Sequence, residues 1–226
     1  MPEERVERTP IGGERVRRWI LILSPVGVIA LCHAAQRILG AVLGVWAWLS
    51  TMLVFWGIVA LLIASGGRAN PMKTWLRRPR GGRLWSALAV AVGLISVGEF
   101  SSGWRTLASP SLIALWLGFG LINPWFEESY WRGALIDATS NWASGLGVAY
   151  STLWFALSHP LIWGVHSVAL RHPAALVGLG LAGAVWGVAY HRTGSLRWTI
   201  AGHSLSNLLG LSVPVLLNAH VPAALR

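Results

Sequence analysis

Of the 226 residues, 54% are hydrophobic and only 12% are charged, against about 25% charged in a soluble domain, which excludes an ordinary water-soluble globule. Mean hydropathy is +0.58, and apolar runs close to the length of a bilayer crossing recur along the chain. That pattern describes an all-α, polytopic membrane helical bundle. The formal charge of +10 does not imply a nucleic-acid partner. Its basic residues gather at 5–18 and 68–83, between apolar runs, as the positive-inside pattern and contact with anionic membrane lipids expect.

Residues 1–18 carry charges, Pro and Gly and read as a mobile cytoplasmic tail. Trp19 to Ala35 is the first span, retained rather than cleaved, because the segment before it is long and mixes Glu with Arg. Cys32 lies within it, reads as a small buried hydrophobe, and excludes an internal disulfide because it is the single cysteine. Gln36 and Arg37 interrupt the run, and a second span extends from about Leu39 to Ala64. Gly66 to Arg83, with six Lys or Arg and two Pro, is the clearest loop and is expected on the cytoplasmic side, together with the N-terminus. A third span follows from Leu84 to about Trp104, and a fourth from about Ser111 into a pair of glutamates. Residues 133–145 read as a connection, partly helical. The fifth span starts near Leu146 and passes His159; the sixth, Pro173 to Tyr190, is rich in Gly and Ala and suits close helix packing. After a polar turn from His191 to Arg197, the last span covers about Trp198 to Leu217. The count is seven, or eight if the second run or the 159–190 region divides differently. One membrane-embedded domain, residues 19–218, is expected, with a short tail at 219–226.

The acidic residues are the informative ones. After Glu14 the chain has only Glu99, Glu127, Glu128 and Asp137. An ionised carboxylate in a water-poor setting is costly unless paired. Glu128 and Arg132 are four apart and share a helix face, acid before base, so Arg132 neutralises Glu128 structurally. Glu127 is then the freer carboxylate and the better candidate for chemistry. The alternative is a solvated helix end at the membrane surface. Two other spans carry polar residues: His159 just before Pro160, and His203 with Asn207 four apart on one face. Each alone could be an interhelical hydrogen-bond partner. Together they suffice for water-mediated acyl transfer, with a carboxylate as general base, an imidazole orienting the water, and His or Asn N–H groups facing an oxyanion. The remaining histidines, His33, His166, His172, His191 and His220, read as structural or surface residues.

Glu127-Glu128-x-x-x-Arg132, Phe155-x-x-x-His159 and His203-x-x-x-Asn207 resemble, in order, the three motifs of the CPBP membrane endopeptidases. That family includes the CAAX prenyl endopeptidases of the Ras-converting type and the bacterial Abi proteins. The resemblance spans about residues 84–218, with no departure at the motif positions. It implies a protease of the glutamate type, without a cofactor, acting on a membrane-associated protein or peptide. Glu127 is then the catalytic glutamate, His159 helps activate the water, His203 and Asn207 stabilise the oxyanion, and Glu128 with Arg132 is the supporting ion pair.

Depth along the spans raises a conflict. Counted at about 1.5 Å per residue, His159 lies roughly 20 Å in from Leu146, whereas His203 lies only about 10 Å in on its own helix. They converge only if the fifth helix tilts, starts later or breaks at Pro160. Two rival readings follow from the same residues: a zinc peptidase with Glu127, His159 and His203 as ligands, and a non-catalytic immunity factor, scaffold or transporter. Arginine supplies 17 of the 18 basic residues, Lys73 being the exception. That bias suggests a bacterial cytoplasmic membrane, where a peptide, a precursor or a C-terminal sorting segment would be trimmed.

Overall fold

A computed structural model describes residues 12–65, 70–143, 145–222 and 225. Among these residues every regular element is a helix. Helix α1, Gly12–Leu43, already includes the last residues of the charged tail. Residues 1–11 of that tail lie outside the described residues.

The first apolar region does not break at Gln36 and Arg37, as hydropathy alone suggested. Gln36 is fully buried inside the bundle while Arg37 faces outward, so both fit one continuous helix. The chain turns instead at Gly44, in the left-handed region at φ +55, where glycine carries no Cβ penalty. Helix α2, Ala47–Ala64, then packs back against α1.

Helix α3, Pro71–Trp75, lies within the basic loop, and Pro at its first position suits a helix start. The third expected span is two pieces, α4 at Arg83–Leu94 and α5 at Val97–Gly103, divided at Ile95–Ser96. Helix α6, Pro110–Glu128, starts with Ser109 Oγ accepting from the Leu112 amide at 3.2 Å. It does not stop at the glutamates. A π-turn, Ser129–Ala134, leads directly into α7, Leu135–Ala138, so the expected connection at 133–145 begins as helix.

Helix α8, Leu146–Leu161, follows the positive-φ Gly145 and runs through Pro160. Helix α9, Pro173–Thr193, is capped by His172 at one end and by Gly194, in the left-handed region, at the other. Helix α10, Arg197–Leu209, and α11, Ser212–Leu216, replace the single last span; Leu211 at φ 53 divides them. Among the described residues, three stretches are long and apolar enough to cross a membrane: Gly13–Ala64, Arg83–Thr106 and Pro173–Thr193. Helices α8 and α10, with 16 and 13 residues, fall short of the roughly 20 that a straight crossing needs. The polar residues that single them out also lower their hydropathy.

Helices α4 and α10 cross at glycines. A Cβ on Gly202 would run into the carbonyl oxygen of Ala89, and one on Gly93 into that of Gly202. Around this crossing sits an aromatic core that includes the fully buried Trp131, Trp186 and Phe155.

Candidate active site

The glutamate pair is placed by the end of α6. Glu128 and Arg132 are both fully buried, with Arg132 Nη1 3.2 Å from Glu128 Oε1. The guanidinium lies 4.1 Å from the centre of the Phe155 ring and 5.5 Å from that of Trp186. Aromatic faces thus compensate a buried cation that has one carboxylate partner. The supporting pair expected from spacing is a contact in space.

Glu127 points elsewhere. Its Oε1 accepts from Asn123 Nδ2 at 3.1 Å, and Asn123 Oδ1 accepts from Trp56 Nε1 at 3.0 Å. Its Oε2 is buried without a hydrogen bond, 3.6 Å from His203 Nε2. On its other side His203 Nδ1 is 2.9 Å from Glu128 Oε1. A carboxylate oxygen only accepts, so Nδ1 carries a proton and donates to Glu128. The imidazole is also stacked on Trp186, with centroids 4.6 Å apart and planes 16° from parallel. Trp186 is fixed in turn by donating to the Ala89 carbonyl at 2.9 Å.

His159 Nδ1 lies 2.8 Å from the Phe155 carbonyl, an acceptor. Nδ1 therefore carries a proton, and whenever the ring is neutral the lone pair is on Nε2. Asn207, one turn beyond His203 on α10, is half-buried, and its Nδ2 has no partner. Glu127, His159, His203 and Asn207 all line one cavity of about 630 Å³. Ile95 and Leu181 line it as well and are 78% and 66% exposed, so on that side the cavity opens to the exterior of the bundle. Pro222 and Leu225 border it too, close to His220, which meets Glu99 at 3.2 Å.

The depth conflict is removed from the α10 side. The start of α10 is roofed by the basic loop: the Leu196 amide donates to the Trp75 carbonyl at 2.8 Å and Ser195 Oγ to that of Arg77 at 2.7 Å. Leu196 is fully buried, so counting residues from the beginning of α10 understates how far His203 lies inside. Helix α8 starts at Leu146 and does not break at Pro160.

Asn123, Trp56 and Trp186 belong to the site but had no role in the sequence reading. Asn123 stands four residues before Glu127, a spacing that could have flagged it; Trp56 and Trp186 gave no local signal. Three other histidines stay apart from Glu127 and Glu128: His33 bonds to the Leu161 carbonyl, His166 to that of Gln36, and His172 caps α9. Among the described residues, no group of three or more His, Cys, Asp or Glu side chains is placed to hold a metal ion.

Residues 109–209 match the family model described as Rce1-like, type II CAAX prenyl endopeptidase. The matched segment runs from the cap of α6 to the end of α10 and contains all three motifs. No curated protein and no solved structure shows significant similarity to the chain.

Proposed function

We propose, on the premise that the chain is a CAAX-type intramembrane protease of the Rce1-like family, that it hydrolyses a peptide bond with water activated by Glu127. The reading rests on one observation above all. Four polar side chains from α6, α8 and α10 line one cavity, and one carboxylate oxygen among them has no hydrogen bond.

Glu127 Oε2 takes a proton from water held with His159 Nε2, and the hydroxide oxygen bonds to the scissile carbonyl carbon. The negative charge moves to the carbonyl oxygen, where Asn207 Nδ2 and the His203 ring donate to it. Donation from His203 Nε2 requires that nitrogen to carry a proton as well as Nδ1. As the C–N bond breaks, Glu127 returns its proton to the leaving amine, and the products are a carboxylic acid and an amine, between which the acid proton then passes to give carboxylate and ammonium. Glu128 and Arg132 hold His203 and the helix end without touching the substrate.

The substrate is a membrane-associated protein or peptide, and no metal or cofactor takes part. Nucleic acid is not a partner; the basic loop at 66–83 meets anionic lipid on the cytoplasmic face of a bacterial membrane, with the N-terminus on the same side.

Glu127→Gln keeps the shape and removes the base. Cleavage of membrane-protein substrates by this variant falls by at least about 10²-fold, while its thermal unfolding stays close to wild type. Mass spectrometry of peptides trapped on this variant in native membranes identifies the substrate and whether it is prenylated. Processing at the wild-type rate rejects the mechanism.

A further inference from the structure

The two oxygens of Glu127 are in unlike settings. Oε1 is tied to Asn123, and Oε2 has no hydrogen bond. An asparagine amide could in principle face a carboxylate with either end, since its O and NH2 are close in size. Trp56 removes that freedom. An indole N–H can only donate, so the atom it meets at 3.0 Å is Asn123 Oδ1. The NH2 group of Asn123 must then face Glu127. Trp56 is itself held by stacking on Phe126, with centroids 4.8 Å apart and planes 8° from parallel. Asn123 is 2% exposed, so water does not compete for its amide.

We infer that Trp56 and Asn123 form a positioning relay, in which the indole orients the amide, the amide holds Glu127 by Oε1, and Oε2 alone is left for the reacting water. The inference rests on Glu127 being the base. Asn123 acts through Glu127, and Trp56 acts one step further back, from a helix that contributes nothing else to the chemistry. A carboxylate freed from this hold can turn about its terminal bond and present either oxygen to His203, which lowers the fraction of time spent in reacting geometry.

The test uses the full chain purified in detergent and has two arms. The first compares thermal unfolding midpoints, at one scan rate, for Asn123→Leu, Glu127→Leu and the double variant. Each single change breaks the same bond, so the double variant loses less than the sum of the two singles; fully additive losses overturn the contact. The second follows cleavage of a fluorogenic CAAX peptide, farnesylated and unmodified. Asn123→Leu lowers kcat at least about tenfold with KM within about twofold. Trp56→Phe, which keeps the stack and removes only the N–H, lowers kcat about threefold and adds nothing in the Asn123→Leu background. A Trp56→Phe protein with wild-type kcat, or one whose loss adds in full to that of Asn123→Leu, overturns the relay. If the wild type cleaves neither peptide, a CAAX substrate is rejected and the same kinetic comparison is made on the peptide trapped by Glu127→Gln, while the stability arm still decides whether Asn123 holds Glu127.

Discussion

Arg132 shows how much can depend on one side chain. It is fully buried, its guanidinium faces one carboxylate at 3.2 Å, and two aromatic rings occupy the remaining approach. Removing one member of such a pair strands the other charge, at a cost of about 3–5 kcal/mol. Arg132→Ala therefore lowers the unfolding midpoint strongly as well as the activity. Arg132→Lys falls between, because an ammonium keeps the charge but not the flat face against Phe155. A variant with wild-type heat stability would show that the pair does not support the fold. The pair was legible because its members are four residues apart on one helix. Asn123 and Glu127 have the same spacing, yet Asn123 is uncharged and nothing marks it within the fourth apolar run. Trp56 could not be found at all, since it lies 67 residues from Asn123 in the chain and nothing local marks it.

Among the elements, the α4–α10 crossing sets where His203 can sit. Gly202 is its neighbour in sequence and rests against the Ala89 carbonyl. Gly202→Ala pushes the two helices apart, with a stability loss of roughly 1–3 kcal/mol and a fall in turnover, read from unfolding midpoints and cleavage rates. Gly57→Ala is the control: its site has nothing within 4 Å, and the protein tolerates it, because alanine is the better helix former. Sequence pattern found the helices more readily than their close contacts. It assigned close packing to the small residues of 173–190, where Gly183 and Gly187 do approach neighbours but Gly178 and Gly180 meet open space. It gave no such role to Gly93 or Gly202, because nothing in their own runs sets them apart from Gly98 or Gly210. The ends of helices were harder still. Gln36 resembled a break because hydropathy cannot distinguish a buried amide from a solvated one.

Across the whole molecule, the basic loop is bound to the bundle through Asp137. Its two oxygens accept from Trp75 Nε1 at 3.1 Å and from the Tyr190 hydroxyl at 2.8 Å, joining α3, α7 and α9. Asp137→Leu releases that roof, so amides in residues 71–80 exchange hydrogen at least about tenfold faster while those of α2 are unchanged. Equal exchange in both proteins would show that other contacts hold the loop. The membrane class and the motif residues were readable because a chain with few charges makes each one conspicuous. The roof was not, because it joins residues far apart in sequence. The π-turn at Ser129–Ala134 has a genetic corollary. Such a turn accommodates one residue more than the α-helical turn it replaces, so losing a single codon there would heal it into ordinary helix. Because the π-turn holds that extra residue within one turn, the helix beyond keeps roughly its original phase after the loss, and Asp137 stays beside Trp75 and Tyr190 while Glu127 and Glu128 stay where they stand. An in-frame deletion of one amino acid other than Arg132 in this turn would thus disturb the later helices less than the same deletion within α6, which swings every later side chain by about 100°.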